Sequence, residues 1–476
     1  MSDLTPDLRR TLTPLLDQTV DAALDYLTTD TRSVAATTPL ATLRSRLDLP
    51  LADTPTPPEQ VIDDLVNGVE GGLHDTTGPR FFGWVIGGSL PAALAADWLT
   101  STWDQNAALY VCSPASAVVE ETAGRYLKEL LHLPKTASFA FVTGCQMAHI
   151  TALTVARHAV LARQGWNVPQ QGLFGAPAIR VLTSTERHET SLRAVRFLGI
   201  GQQNIHELPV DHSGRLTFSA LQSALQQEPN RPTIVILQAG DLNIGAFDDF
   251  ASLIPLAHAH HSWVHVDGAM GLWAAASPSL RHLLRGAEHA DSWATDGHKW
   301  LNVPYDSGYA FIADPEAHRA ALAMGNASYV THAAEARDQM HYNLEWSRRA
   351  RAFPTYAAIR QLGRTGIADL IDRCCRHCHT LTTRIGALPN AETLAIPQIN
   401  QGLVRFKSPK PNAIEADHDT FTDQTIAAIN ASGEAFFGGT TWRGQRAMRI
   451  SVSNWQTTDA DIDLTVTAIA KILQSA

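Results

Sequence analysis

The sequence predicts an α/β protein whose central sheet is mostly parallel and is covered by helices on both faces. Between residues 138 and 267, short apolar runs alternate with longer segments in which apolar residues have a helical spacing. Parallel strands need a crossover connection, usually a helix, and when buried they are apolar along their whole length. From about residue 348 the alternation gives way to one long helical stretch followed by separate strands. This change predicts a smaller α+β domain after the large α/β domain.

The predicted strands of the large domain follow one another in chain order. We expect strands at 138–142, 179–183, 204–208, 233–237 and 263–267, and in the apolar run that ends near residue 294. Helices are expected from the turn at 143–146 to about residue 163, at 188–198 and at 250–260. Ligands of such sheets bind at the carboxyl ends of the strands, so the residues that end these strands are candidates for a site.

Three regions of the chain differ in their patterns. We expect an N-terminal helical arm over 1–78, the large α/β domain over 79–347 and the small C-terminal α+β domain over 348–476. In the small domain we expect helices at 353–385, 421–430 and 459–473 and strands at 403–406 and 447–451. In the arm, an apolar stripe at helical spacing is formed by Leu8, Leu12, Leu15, Leu16 and Val20. We expect an arm of this kind to pack on a partner subunit.

The composition is typical of a large globular protein. Of the 476 residues, 45% are hydrophobic and 18% are charged, and the formal net charge is −10. The sequence has no basic tract that would indicate nucleic acid binding, and no apolar run approaches the length of a membrane span. The polar N-terminal segment lacks the apolar core of a signal peptide, so we expect a cytoplasmic protein. The five cysteines are expected to be reduced thiols.

Lys299 lies in an unusual setting for a lysine, because it follows the turn Asp296-Gly297-His298 and precedes Trp300 and Leu301. Burying an ammonium group is costly, and desolvation lowers the pKa of a lysine. An unprotonated amine can attack a carbonyl group to form a Schiff base. For an isolated lysine, extension from a surface loop would be the commoner explanation. Two features upstream of Lys299 instead favour a functional lysine.

These two features lie at predicted strand ends. The turn Thr143-Gly144-Cys145-Gln146 connects a strand to a helix, and its backbone N–H groups and the helix dipole would hold a phosphate. Asp267 ends an apolar strand and can hold a protonated ring nitrogen through a charge-assisted hydrogen bond. A phosphate cradle, a carboxylate and a lysine in one α/β domain are what pyridoxal 5′-phosphate (PLP) requires.

Four ordered motifs make the chain resemble a known family. They are HVDGA at 265–269, DSWATDGHKWLNVPYDSG at 291–308, GPRFFGWVIGGSLPAALAADW at 79–98 and SRRARAFPTYAAIRQLG at 347–363. Over residues from about 40 to the C-terminus, the chain is similar to the group II PLP-dependent amino acid decarboxylases, which include the aromatic L-amino acid and glutamate decarboxylases. The resemblance implies a fold type I PLP enzyme with a seven-stranded type of sheet. It also implies a homodimer with active sites near the subunit interface.

The resemblance implies a role for each residue that matches the family pattern. Lys299 resembles the lysine that forms the Schiff base, Asp267 the partner of the pyridinium nitrogen and His188 the histidine that stacks on the ring. Ala269 would pack against the other ring face. The remaining cofactor-binding candidates, at or near the phosphate or at strand ends, are Gly144, Cys145, Gln146, Asn243, Asp296 and His298.

The resemblance also implies positions on the substrate side. Trp84, Val85 and Gly87 match the substrate-side positions of the family, and Arg449 is a candidate for binding a substrate carboxylate. The tyrosine that returns a proton to the substrate should lie near residues 325–342, where Tyr329 and Tyr342 are the candidates. The substrate is expected to be an L-amino acid, with an aromatic or other hydrophobic side chain as one option.

Several alternatives remain open at this point. The first is another PLP reaction on an amino acid, of the aldehyde synthase, aldolase or aminotransferase type, and the second is a catalytically inactive family member. Metal binding is not expected, because the clustered histidines and cysteines divide between different faces and elements. The residues that this excludes are His258, His260, His261 and His265 in one group and Cys374, Cys375, His377, Cys378 and His379 in the other.

Overall fold

The N-terminal region of the chain is helical, as the sequence predicts. The computed structural model describes residues 8–29, 32–323 and 336–475. Three helices precede the central part of the molecule, namely α1 (Leu8–Thr28), α2 (Leu40–Leu47) and α3 (Pro58–Val69). The apolar stripe of α1 is exposed, with Leu8, Leu16 and Leu24 each more than half accessible to solvent. No helix within the described ranges is both long enough and apolar enough to cross a membrane.

The large sheet is built from alternating strands and helices. Two helices, α4 (Pro91–Trp103) and α5 (Pro114–Leu130), lead into it. The first half comprises β1 (Ser138–Val142), α6 (Cys145–Ala162), α7 (Val168–Gln171), β2 (Arg180–Ser184), α8 (Glu189–Phe197), β3 (Ile205–Leu208) and α9 (Phe218–Gln227). The second half comprises β4 (Thr233–Gln238), α10 (Phe250–Ala259), β5 (Trp263–Asp267), β6 (Ser292–Asp296), β7 (Gly308–Ile312) and α11 (Pro315–Leu322).

The order of the seven strands is β1-β7-β6-β5-β4-β2-β3. Strands β3, β2, β4, β5 and β6 are parallel, whereas β7 is antiparallel to both β6 and β1. Every residue of the six strands other than β3 is buried, since apolar clusters cover both faces of the sheet. The predicted α/β fold with a mostly parallel sheet is confirmed.

Two details of the large sheet differ from the expectation. Strand β6 extends through Asp296, so Asp296 is a strand residue rather than the first residue of a turn. Strand β7 was not expected, because no crossover helix separates it from β6. It returns antiparallel after a loop, and Asp296 pairs with Gly308 across the two strands.

The C-terminal part has its own antiparallel sheet, with the order β10-β11-β9-β8. Its elements are α12 (Ala352–Gly386), β8 (Ala391–Ala395), β9 (Gln401–Phe406), α13 (Glu415–Ser432), β10 (Gly438–Trp442), β11 (Gln445–Ser451) and α14 (Asp459–Ser475). The predicted helices and the two predicted strands are confirmed. Strands β8 and β10 were missed because they are half-exposed and carry few apolar residues. Gly363, with a positive φ, kinks α12.

Two close backbone approaches bring separate segments together beside Asp296. A Cβ atom on Gly308 would overlap the backbone of Gly144, so β7 can lie directly against the turn that opens α6 only with glycine there. A Cβ atom on Gly87 would overlap the carbonyl oxygen of Lys299. The segment before α4 therefore packs against the loop that follows β6.

We expect Gly308→Ala to destabilise the protein by about 1–3 kcal/mol, because the added methyl group has no space next to Gly144. The measurement is chemical unfolding followed by circular dichroism. The matched control is Gly438→Ala in β10, where an added Cβ atom meets nothing within 4 Å. Equal stability of the two variants would contradict the close approach.

Candidate active site

Asp296 lies at the centre of the candidate site and is only 2% exposed. Its Oδ1 accepts a hydrogen bond of 2.5 Å from the backbone N–H of Cys145, the first residue of α6. Its Oδ2 lies 2.9 Å from Nζ of Lys299, and Oδ1 also lies 3.4 Å from Nε2 of His298. One carboxylate therefore joins the end of β6, the start of α6 and the candidate lysine.

Lys299 is held as an ammonium group by this contact. Burial lowers the pKa of Lys299, but the negative charge and the hydrogen bond of Asp296 outweigh burial and raise the pKa above its ordinary value. The expectation that its apolar setting leaves the amine unprotonated is therefore wrong for the protein without cofactor. The apolar neighbours Trp300 and Leu301 predict an unprotonated amine, but the carboxylate of Asp296, three residues earlier, determines the charge of Lys299.

Asp267 ends β5, the strand beside β6, and is 6% exposed. Its Oδ1 accepts a hydrogen bond of 3.3 Å from the backbone N–H of Ala269. Its Oδ2 is buried and has no hydrogen-bond partner among the described residues, although Nε2 of His149 lies 3.4 Å away. Burial raises the pKa of Asp267, but the nearby histidines, His149 first, lower it below its ordinary range. Asp267 is thus an ionised carboxylate with one unpaired oxygen.

His149 is a residue that the sequence argument missed. It is fully buried, and its ring joins Cys145, Asp267 and His265. A signal was present, since His149 follows Cys145 by four residues and one helical turn places both side chains on the same face. On sequence alone, Cys145 is interpreted only as a backbone position in a phosphate-binding turn.

The turn that opens α6 partly matches the expected phosphate cradle. The N–H of Cys145 bonds to Asp296, and its thiol faces His149 at 3.4 Å, so Cys145 does not offer a group to a phosphate. The next backbone N–H groups of the first helical turn have no acceptor within the helix. The side-chain Nε2 of Gln146 is buried without a hydrogen-bond partner among the described residues. Gly144 lies against His298, whose ring a Cβ atom would press on.

The two other histidines of the site are His298 and His188. The ring of His298 stacks on that of Tyr305, with 4.2 Å between centroids, and its Nδ1 accepts from the N–H of Ser307. His188 caps α8 by accepting from the N–H of Thr190 at 3.2 Å. Burial lowers the pKa of both histidines, so both favour the neutral ring at neutral pH.

The substrate-side candidates of the N-terminal segment have different environments. Val85 is buried in the core, whereas Trp84 is 55% exposed and stacks on Phe81 and Phe436. The backbone φ of Trp84 is 48°, which is rare for a bulky residue and often marks a functional position. Gly87 provides the close approach to Lys299 rather than a side-chain contact.

Arg449 is buried in β11 and donates to the carbonyl oxygen of Leu242 and to Oε1 of Gln401, each at 3.1 Å. Burial lowers its pKa to about 10. The negative charge of Asp241 raises the pKa of Arg449 against burial, but Asp241 forms no ion pair with Arg449 among the described residues. The charge of Arg449 also lowers the pKa of His188, which locates Arg449 near the site. A buried guanidinium with neutral partners is suited to an anionic ligand.

Two candidates, Asn243 and Tyr342, are not brought to this constellation. Asn243 accepts from Oγ1 of Thr440, so it links the loop after β4 to the small sheet. The ring of Tyr342 lies under the guanidinium of Arg337 and beside His318, which bonds to Ser138 at the opposite end of β1 from Gly144. Tyr329 lies outside the described residues.

The histidine cluster that was weighed as a metal site does not form. His258 bonds to Asp291, whereas His265 bonds to His149 and Ser292. In the described part of the chain, Cys145, His149 and Asp267 have ligand atoms within 4.8 Å of one another. The thiols of Cys374 and Cys378 are buried in the core, as expected.

The residues fit PLP on the basis of their unpaired buried atoms. Asp267 Oδ2 is a free acceptor for a ring N–H, and Gln146 Nε2 is a free donor beside the turn that opens α6. Lys299 lies three residues after β6, the strand next to that of Asp267, and is close enough for Asp267 to raise its pKa. The backbone of Ala269 links the two carboxylate residues, because its N–H donates to Oδ1 of Asp267 and its carbonyl oxygen accepts from the N–H of Asp296.

Comparison with known proteins identifies similar sequences and a similar fold. Residues 40–408 match the model of the pyridoxal-dependent decarboxylase conserved domain. The chain is 25% identical over 453 residues to an aromatic-L-amino-acid decarboxylase of Bacillus atrophaeus, covering 94% of this chain and 92% of the relative. It is 24% identical over 429 residues to a phenylacetaldehyde synthase of Petunia hybrida, covering 86% and 83%. The crystal structure of Oryza sativa TDC with PLP and tryptamine aligns with this chain at a TM-score of 0.90 and 22% identity. The alignment covers 100% of this chain and 99% of that chain, so the two proteins share a fold.

We expect Asp296→Asn to lower the pKa of Lys299, because it removes the charge that raises this pKa against burial. In the cofactor-free protein, Lys299 should then react with an amine-selective acylating reagent at a lower pH than in the wild type. Mass spectrometry of peptides measures the reaction, and the exposed Lys135 in the same sample is the internal reference. Unchanged reactivity of Lys299 across the pH series would contradict the role of Asp296.

Proposed function

The chain belongs to the pyridoxal-dependent decarboxylase family, and on this premise we propose that its site removes the carboxylate of an L-amino acid to yield the amine and carbon dioxide. The observation that carries the proposal is the pairing of Lys299 and Asp267. Asp267 is the last residue of β5 and Lys299 follows the neighbouring β6, and among the described residues Oδ2 of Asp267 is buried without a hydrogen-bond partner. These are the positions that the amine and the acceptor for PLP require.

In the proposed reaction, each residue of the chain has a defined task. PLP, when bound, supplies an electron sink for the pair released as the bond between Cα and the carboxylate breaks. Asp267 Oδ2 accepts the N–H of the ring nitrogen and so keeps that nitrogen protonated. Asp296 holds the ammonium of Lys299 at 2.9 Å and is placed to accept its proton. Gln146 contributes a donor for the phosphate, and His188 provides a neutral ring beside the cofactor.

We propose that the substrate has an aromatic or other hydrophobic side chain. The exposed ring of Trp84 stacks on buried Phe81 and on Phe436, whose rings stack on each other at 4.8 Å, and Trp84 lies three residues before the contact of Gly87 with Lys299. Aromatic stacking favours such side chains by about 0.5–1.5 kcal/mol per ring pair. Arg449, with its neutral partners, is the proposed site for the substrate carboxylate.

A second candidate is aldehyde formation from the same amino acids. Within one protomer, the ring of Tyr342 packs under Arg337, so Tyr342 does not supply a proton at Cα there. Tyr329 is then the remaining tyrosine candidate for this proton transfer. The similarity to a phenylacetaldehyde synthase also supports this second candidate.

We further propose that the protein is a cytoplasmic homodimer. Helix α1 exposes an apolar stripe at helical spacing, which a monomer would leave in contact with water. The exposed large apolar residues of α1 are Leu8, Leu12, Leu16, Val20, Leu24 and Leu27. A second copy of the chain would cover this stripe and would bring active sites near the interface.

We expect the PLP-loaded protein to release carbon dioxide from an aromatic amino acid and to leave the corresponding amine, as measured by mass spectrometry of the products. Reduction with borohydride should add the mass of the reduced cofactor to Lys299, and Lys299→Ala should abolish turnover. Asp267→Asn should lower kcat about 10²–10³-fold, as removal of one preorganised electrostatic contact does in other sites.

The control for these variants is Asp53→Asn, which changes an exposed carboxylate of the N-terminal region. Full activity of Asp267→Asn would refute the role of Asp267. An aldehyde in place of the amine would favour the second candidate, and a protein without any product would refute both reactions.

We expect the double variant Leu16→Glu, Leu24→Glu to shift the protein from dimer to monomer, because it introduces charges into the apolar stripe of α1. Sedimentation velocity measures the state of association. Thr11→Glu, which adds a charge on another exposed face of α1, is the control and should remain a dimer. A monomeric wild type would contradict the homodimer.

A further inference from the structure

A buried row of side chains leads from Asp267 into the protein interior. Nε2 of His149 lies 3.4 Å from Asp267 Oδ2, and Nδ1 of His149 lies 2.9 Å from Nε2 of His265. Nδ1 of His265 lies 2.9 Å from Oγ of Ser292, which accepts a hydrogen bond of 2.9 Å from Nε1 of Trp263. All five side chains are buried, and those of His149, His265 and Ser292 are fully so.

We propose that His149 is a positioning residue for Asp267: it directs an N–H at Oδ2 of the carboxylate, so that Asp267 stays ionised and the other lone pair of Oδ2 remains available to the ring nitrogen of PLP. This inference rests on the proposed function, in which Asp267 is the partner of that nitrogen. His149 acts through Asp267, because its ring is fully buried and contacts Cys145, Asp267 and His265.

The hydrogen-bond partners determine which nitrogen of His149 carries a proton. Trp263 can only donate, so Ser292 uses one acceptor position for it and can still donate its own hydrogen to His265. His265 then donates through Nε2 to Nδ1 of His149, and His149 donates through Nε2 towards Asp267.

The reverse direction would place two lone pairs against each other. An unprotonated Nε2 on His149 would face the ionised Oδ2 of Asp267, which is unfavourable in a buried site, and the thiol of Cys145 at 3.4 Å offers that Nε2 only a weak donor. A doubly protonated His149 also has a proton on Nε2. Both remaining arrangements therefore direct an N–H of His149 at Asp267.

The electrostatics of the neighbouring groups agree with this arrangement. Burial and the charge of His149 lower the pKa of His265 to about 3, so His265 is neutral and transmits the hydrogen bonds without a charge of its own. Burial first, and then the charges of Asp296 and Asp267, raise the pKa of Cys145, so its thiol beside His149 is neutral. The other two titratable groups around Asp267 are His188 at the start of α8 and Lys299 after β6. Both are proposed to contact PLP or its substrate. His149 differs from these two groups because its side chain is fully buried.

The test uses holoenzyme prepared with PLP that is labelled with ¹⁵N at the ring nitrogen. In the wild type, the ¹⁵N chemical shift should be that of a protonated ring nitrogen. His149→Leu keeps a similar volume but has no N–H, so we expect its ¹⁵N shift to move towards the unprotonated value. We expect the dissociation constant of PLP to rise about tenfold, the factor that corresponds to one pKa unit. His149→Gln, which retains an N–H donor, should restore part of both properties.

The matched control is His318→Leu, which removes another fully buried histidine with two hydrogen-bond partners, Ser138 and the backbone of Tyr342. It should lower stability comparably and leave the ¹⁵N shift unchanged. A protonated ring nitrogen and unchanged PLP affinity in a folded His149→Leu would overturn the inference. An unprotonated ring nitrogen in the wild type would instead refute the proposed role of Asp267 itself.

A measurement on the wild type alone applies even where a variant fails to fold. In holoenzyme with ¹⁵N-labelled histidine, Nε2 of His149 should carry a proton and His265 should be neutral. An unprotonated Nε2 on His149 would overturn the inference without any substitution.

Discussion

The candidate site depends on one buried carboxylate, that of Asp296. Its two oxygens hold the first N–H of α6 and the ammonium of Lys299 at the same time. A buried carboxylate is costly unless it is paired and hydrogen-bonded, and here both partners are site elements. The same interaction therefore compensates the burial of Asp296 and sets the distance between the lysine and the turn at Gly144. Glycines at 87 and 308 allow the surrounding backbone to approach closely enough.

The site contains two ionised carboxylates with different environments. Both oxygens of Asp296 have partners, the ammonium of Lys299 and a backbone N–H. Among the described residues, Oδ2 of Asp267 has no hydrogen-bond partner, and nearby histidines stabilise the charge of Asp267. This difference gives them different functions in the proposed reaction. Asp296 holds the amine before it reacts, whereas Oδ2 of Asp267 has no hydrogen-bond partner among the described residues and can accept a ring N–H. The unpaired oxygen is the clearest sign in the fold that a cationic N–H belongs there.

Much of the fold was predictable because its signals are local. Continuous apolar runs identify β1, β2, β4 and β5, and helical stripes identify most helices, because strands that are buried on both faces are mostly apolar. Strand β7 is not predicted from the sequence because it is antiparallel to β6 and no crossover helix connects the two strands. The edge strands β8 and β10 escaped because half-exposed strands carry weak patterns.

For the site, the sequence by itself determined the chemical types and their order: a strand-to-helix turn, a carboxylate at a strand end and a lysine in an apolar loop. These are contiguous motifs, so they can be read from the chain. Only the tertiary structure decided the contacts between residues far apart in sequence. It placed Asp296 against α6 and Lys299, turned the thiol of Cys145 away from the phosphate turn and set His149 behind Asp267. Protonation follows from such contacts, because charge and desolvation act over a few ångströms in space and not along the chain.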